Sequence, residues 1–225
     1  MKELFPERYS VLLIGPPGVG KHEFCVDMAH YFLEKGEKVV FLTTERSPED
    51  VENRSKTMGR DLSSLSEGLY YVDCYSWCLG RAPRAEGASK RNVLRITSPE
   101  NLNEIIVKIE KVINVAGGRV RLILHSLSPL FLHNDDREVI KFMQLLVTRI
   151  REEGSFILAA IQEGVHSPSI VNTLTYLMDG VVQMRFYEDE RLERQIRAHH
   201  LKDISVDSGW KTFTVDEKGF NIEEE

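Results

Sequence analysis

Gly15-Pro16-Pro17-Gly18-Val19-Gly20-Lys21 decides the fold. The apolar run Ser10 to Ile14 (SVLLI) precedes it and reads as a buried strand. After it, Phe24, Cys25, Met28, Tyr31 and Phe32 recur at helical spacing to about Glu34, and Gly36 supplies a stop. The stretch therefore fits GxxxxGK between a strand and a helix, which is the context the motif requires. Gly15, Gly18 and Gly20 let the backbone curl so that N–H groups point inward. Lys21 adds a mobile charge, and the helix start adds its dipole. Residues Gly15, Pro16, Pro17, Gly18, Val19, Gly20, Lys21 and His22 are thus the candidate phosphate cradle, for ATP or ADP. A Ser or Thr hydroxyl normally follows the lysine and serves Mg²⁺. Here it is His22, whose imidazole suits a hard cation poorly, so magnesium is doubtful.

Outward from the loop, apolar runs alternate with amphipathic stretches. Lys38 to Thr43, Leu69 to Asp73, Val120 to Leu124 and Phe156 to Ile161 read as strands. Ser47-Pro48-Glu49-Asp50 predicts a capped helix to about Met58. Ser98-Pro99-Glu100 repeats that signal before a helix through Ile105, Ile109 and Ile113, which Gly117-Gly118 breaks. Asp136 to Glu153 is a long helix. Strands separated by helices require a mainly parallel sheet. After Gly164, Val181 to Tyr187, Gln195 to Leu201 and Lys211 to Val215 are joined by short polar turns, which predicts a C-terminal antiparallel hairpin extension. Gly80 to Asn92 has no periodicity and reads as an exposed loop. The expectation is one α/β domain of the P-loop NTPase type over residues 1–225.

With 225 residues, 42% hydrophobic and 28% charged, the chain has the profile of a globular protein with a sizeable core. A net charge of −6 argues against nonspecific nucleic-acid binding. No apolar run reaches the ~18 residues of a membrane span. Met1 to Tyr9 carries Lys2, Glu3, Glu7 and Arg8 and has no signal-peptide core. Cys25, Cys74 and Cys78 form no zinc quartet and read as reduced core thiols of a cytoplasmic protein.

The loop, then Gly36 to Glu45 (GEKVVFLTTE), Ser47 to Asp50 and Met58 to Leu62 (MGRDL), resembles the KaiC-like branch of the RecA superfamily, in its small archaeal paralogues. Tyr75-Ser76-Trp77, Asn101-Leu102-Asn103, Ser126-Leu127-Ser128 and Asp179 to Val182 extend the resemblance from about Ser10 to Phe220. It implies a RecA-like core, ATP at subunit interfaces, and ring or dimer assembly, hence a homo-oligomer or a protein partner. The departures from the family pattern fall on chemistry. The acidic residue that ends the family's Walker B strand is His125, and its catalytic glutamate pair reads Glu45-Arg46. Its Lys-x-Arg element aligns with Lys202-Asp203-Ile204 and lacks the arginine. The Gly-rich lead-in is also absent.

Phosphoryl transfer to water needs a metal and a carboxylate that positions the water. Losing one such element commonly costs a few kcal/mol of barrier, and ~1.4 kcal/mol is tenfold in rate. Three losses predict a weak or inactive ATPase, with Glu45 the remaining catalytic candidate. His22 and His125 are both expected near the nucleotide, because the loop strand and the strand ending at His125 are expected to be neighbours. The pair reads as a transition-metal site, as a phosphate contact at low pH, or as drift at a site freed from catalysis. Drift is favoured, since no third ligand is evident. Glu163, at a strand end, is a candidate nucleotide sensor or a solvated turn residue. Arg81, Arg84, Lys90 and Arg91 form a basic loop that reads as a contact for an acidic partner or as a solvated charge run, the second being favoured. His199 and His200, adjacent in a strand, should face opposite ways, and Trp77 and Trp210 should serve packing. The functional expectation is a nucleotide-binding regulatory or interaction protein with eroded hydrolytic machinery. The alternatives are an interaction scaffold that binds no nucleotide, and an active ATPase using substitute residues.

Overall fold

The computed structural model describes residues 4–79, 92–189 and 191–223. The chain runs β1 (Ser10–Gly15), α1 (Lys21–Glu34), β2 (Val39–Thr43), α2 (Pro48–Thr57), β3 (Leu69–Asp73) and β4 (Asn92–Arg95). It continues through α3 (Leu102–Ala116), β5 (Arg121–His125), α4 (Asp136–Glu152), β6 (Phe156–Gln162) and α5 (Pro168–Leu177). Four strands close it: β7 (Gly180–Glu188), β8 (Leu192–Leu201), β9 (Lys211–Asp216) and β10 (Gly219–Ile222). All ten strands form one sheet in the order β10-β9-β8-β7-β1-β6-β5-β2-β3-β4. From β7 to β4 every pairing is parallel; β8, β9 and β10 are antiparallel.

The parallel strands are apolar on both faces because helices cover both. In β1, Val11 and Leu13 join a cluster with Phe24, Met28 and Phe32 of α1 and Val51 of α2. Leu12 and Ile14 face the opposite cluster, built from α3, α4 and α5 through Ile109, Phe142 and Leu174. The first cluster also contains Phe213 and Phe220, so the C-terminal hairpin packs on the face of α1.

Local chemistry explains most of the boundaries. Ser47 accepts from the Asp50 N–H with Pro48 following, as expected. Helix α3 departs from expectation: Asn101, not Ser98, caps it by accepting from the Glu104 N–H. Ser98-Pro99-Glu100 is instead spent on the preceding turn, while the Glu104 carboxylate reaches back to Thr97. Gly117 ends α3 at φ 83°, a left-handed conformation that costs glycine little.

Other expectations need correction. The antiparallel extension begins one strand later than the turns suggested, because β7 pairs in parallel with β1 (Val11 opposite Gly180). Helix α5 was not anticipated, although Ser167-Pro168 carries the same cap signal as Ser47-Pro48 and Ser167 accepts from the Ile170 N–H. The loop and its cations at Arg81, Arg84, Lys90 and Arg91 lie outside the described residues, but Asn92 belongs to β4. His199 and His200 do not alternate: a β-bulge pairs Val182 with Ala198 and Val181 with His200, and both histidines are exposed. Trp77 is exposed and meets the His133 ring edge-on, rather than filling a core. Trp210 is partly buried, with the guanidiniums of Arg185 and Arg197 over its ring at 4.1 and 4.4 Å. Cys25 and Cys74 are buried and unbridged, and burial pushes both thiols well up from their ordinary value.

Candidate functional site

Parallel strands aim their C-terminal ends at one edge of the sheet, and there the candidate residues collect. Gly18 and Gly20 take φ of 74° and 120°, so the loop curls in a way that L side chains resist. A Cβ on Gly20 would stand 3.1 Å from Phe213 of β9, so the ring closes the loop from below. Gly20 offers α1 no side-chain cap, which leaves the amide donors of its first turn without a side-chain acceptor. Lys21 Nζ donates to the carbonyls of Gly15 (2.8 Å) and Pro16 (2.7 Å), bracing the start of the loop and leaving its third N–H uncommitted among the described residues. Burial lowers the Lys21 pKa, and the Glu45 carboxylate opposes that shift.

His22 and His125 are both buried, and their rings meet edge to face at a centroid distance of 4.9 Å. The expected reason was adjacency of β1 and β5, but β6 lies between them. The rings meet because α1 crosses the C-terminal end of β5. Both nitrogens of His22 are buried without a hydrogen-bond partner. Desolvation, then His125, Arg46 and Arg54, hold its pKa down at about 2. The His125 pKa is lowered too, by desolvation first, against the pull of Glu45. Both rings are neutral at physiological pH.

The segment after β2 is pinned beside this pair. Thr43 Oγ1 donates to the Arg46 carbonyl at 2.6 Å. Thr44 Oγ1 donates to the Ser126 carbonyl at 2.7 Å and accepts from the Ser126 N–H at 2.8 Å. Glu45 is exposed, whereas Arg46 is partly buried and its Nε has no partner. From sequence Arg46 reads only as a missing carboxylate; its burial beside the histidines is set by these tertiary hydrogen bonds. The Thr44 bridge and the Phe213 floor carry no local sequence signal at all. Glu163 is exposed, and its N–H donates to the Gly15 carbonyl at 2.9 Å, which ties the end of β6 to the start of the loop. Lys202 lies elsewhere: its N–H meets the Asp179 carbonyl and its carbonyl accepts from Tyr9 Oη, at the opposite end of the sheet.

Magnesium fits this donor set poorly. Where hydroxyl and carboxylate oxygens would hold it, two neutral imidazoles press against each other, and a hard cation prefers oxygen. Among the described residues no three His, Cys, Asp or Glu side chains gather as a metal-binding group. No described helix is long and apolar enough to cross a membrane.

The sequence model of the family described as "ATPase: KaiC" matches residues 1–225. The chain belongs to the KaiC ATPase family. A UPF0273 protein of Methanopyrus kandleri is 24% identical to this KaiC-family chain over 98% of it and 86% of the relative. The circadian clock oscillator protein KaiC of Synechococcus elongatus is 26% identical over 95% of this chain, which spans 40% of that longer protein. Among solved structures, the KaiC-like protein PH0186 from Pyrococcus horikoshii superposes with a TM-score of 0.78 at 19% identity. The match covers 100% of this chain and 95% of that one. The mainly parallel sheet with its antiparallel C-terminal strands is therefore the KaiC-like, RecA-type fold.

Proposed function

We propose that this KaiC-family chain binds a nucleoside di- or triphosphate on residues 15–22 and serves as a regulatory or interaction protein, with hydrolysis weak or absent. One observation carries the reading: a curled loop braced by Lys21 opens onto an uncapped helix start, beside two neutral histidines where oxygen ligands would stand. The backbone amides and Lys21 suit phosphate oxygens. Hydrolysis lacks support, because a metal must neutralise developing charge and a positioned carboxylate must hold water. Glu45 is the carboxylate at the β2 strand end, and its exposure leaves it loosely held. A homo-oligomer or a protein partner would read out the bound state, through the same domain of residues 1–225.

The test is calorimetric titration with ATP and with ADP, each with and without Mg²⁺, alongside a phosphate-release assay. Binding in the wild type and none in Lys21→Ala, with negligible phosphate release, is the expected result. Magnesium-dependent turnover lost on Lys21→Ala would replace this reading with an active ATPase. No binding with excess ligand would replace it with a scaffold.

A further inference from the structure

A nucleoside triphosphate brings three to four negative charges, and proteins that bind one commonly share it with a divalent cation that bridges its phosphates. Three positions around that site depart from the pattern of the resembled family, two where the cation would be held and one in the catalytic glutamate pair. The position after Lys21 has a neutral ring in place of a hydroxyl, the end of β5 has a neutral ring in place of a carboxylate, and the segment after β2 has a cation in place of a second carboxylate. Independent drift has no reason to place a positive charge at the third position. A site that still receives polyphosphate after losing its metal does.

The geometry supports the second account. Thr43 stands opposite His125 in the β2–β5 pairing and its hydroxyl holds the Arg46 carbonyl, which places Arg46 beside the end of β5; its charge lowers the pKa of both rings. It makes no ion pair among the described residues, and its Nε is shut away from water with nothing to donate to. Both ring nitrogens of His22 are likewise buried without a partner, the residue being 7% exposed. A buried donor left unpaired costs about 1–3 kcal/mol, more when charged. The neutral His22 ring has one N–H, so with Arg46 Nε the buried orphans include two donors, which call for an acceptor that no described side chain supplies. The Thr43 and Thr44 hydrogen bonds fix the segment that carries Arg46 against β5.

Resting on the nucleotide-binding reading above, we propose that Arg46 takes the place of magnesium, so that the cradle receives a metal-free nucleoside polyphosphate. Lys21 and the loop amides hold the terminal phosphate. Arg46 supplies the compensating charge, permanent at any physiological pH. The His22 imidazole fills the space of the ion and offers one N–H to a phosphate oxygen. The ligand class is a nucleoside di- or triphosphate without a bound divalent cation.

The experiment titrates ADP and ATP into the wild type, Arg46→Met, Arg46→Lys and the triple variant His22→Ser/Arg46→Glu/His125→Asp. Each is run once in excess EDTA and once in excess MgCl₂, and circular dichroism confirms that each variant is folded. The wild type should bind equally in both buffers, within about twofold. Arg46→Met should bind about 10- to 100-fold more weakly in EDTA, the loss of one charge-assisted hydrogen bond. Arg46→Lys should recover part of that affinity. The triple variant should bind only with magnesium. Wild-type binding that disappears in EDTA, or Arg46→Met affinity equal to wild type in EDTA, overturns the assignment and leaves the nucleotide reading standing. Absence of wild-type binding in both buffers overturns both.

Discussion

The imidazoles of His22 and His125 meet edge to face, 4.9 Å between centroids, at the point where α1 passes the end of β5. Their neutrality is a property of the fold, since desolvation is the largest cause of both depressed pKa values. Protonating either ring would place a cation in a buried site that already holds Lys21 and Arg46, and this sets the acid behaviour of the protein.

Stability should fall with pH from about 6.5 downward. His22 titrates at about 2 in the folded chain and near 6.5 when unfolded. Below about pH 6.5 the unfolded state therefore binds the extra proton, and each such histidine removes about 1.4 kcal/mol per pH unit. His166 and His199 shift the same way, mainly through desolvation, and being less buried they contribute less. Urea midpoints from about pH 7.5 to about pH 5.5, above the main carboxylate range, isolate this effect. Replacing His22 with Phe should reduce the slope by up to about 1.4 kcal/mol per pH unit; an unchanged slope would show that the ring is not held neutral.

Substitutions at the loop glycines should separate strain from crowding. Both Gly18 and Gly20 have positive φ, but a Cβ on Gly18 meets open space whereas one on Gly20 meets Phe213 at 3.1 Å. Gly18→Ala should cost about 1 kcal/mol and Gly20→Ala about 2–3 kcal/mol. Thermal melts compare the two directly, and Phe213→Leu should relieve part of the second loss.

Removing the Glu45 charge should tighten polyphosphate binding. Its carboxylate acts electrostatically on Lys21 and His125 and would repel an incoming phosphate. Because Glu45 is exposed, Glu45→Gln should raise ADP affinity by only about two- to fivefold, and less at high salt. A variant that bound more weakly, or that lost phosphate release present in the wild type, would mark Glu45 as catalytic instead.

At the far end of β1, Asp179 is the hub of a small network. Its carboxylate accepts from the Ser10 N–H (3.0 Å), Ser10 Oγ (2.6 Å) and Arg151 Nη2 (2.7 Å). Burial alone would raise its pKa, but the Ser10 and Arg151 hydrogen bonds outweigh it and leave the pKa lowered. The stabilisation is complete above the ordinary carboxylate range and is lost as pH falls through the folded pKa. Asp179→Asn should therefore cost about 1–3 kcal/mol at pH 7, with the gap from wild type narrowing below about pH 4. Chemical denaturation at neutral and acid pH checks both halves.

What could be read from sequence was local. The strand, the glycines, Lys21 and the start of α1 fall within twelve residues, and each acts through its own backbone, so the loop was legible. Strand β4 was not: its four residues include Asn92 and Arg95, and Arg95 is held by an ion pair with the buried Asp73 that no periodicity announces. The α3 cap slipped by three residues because Ser98 and Asn101 offer the same chemistry and tertiary contacts choose between them. His22 and His125 were expected together and are, but through α1 rather than through adjacent strands. For Arg46, the sequence shows only a departure from the resembled glutamate pair; its place beside the end of β5 comes from the Thr43 and Thr44 hydrogen bonds.

Phe213 stacks on Phe220 at 4.3 Å, Phe220 meets Phe24 of α1 at 5.2 Å, and Phe213 also underlies Gly20. The glycine turn is thus propped by a segment far along the chain from it. Such distant contacts form slowly, because the intervening chain must close first. Until residues 211–222 dock, the glycine turn has no floor, so the shape of the loop is completed only when the β9–β10 hairpin has joined the sheet.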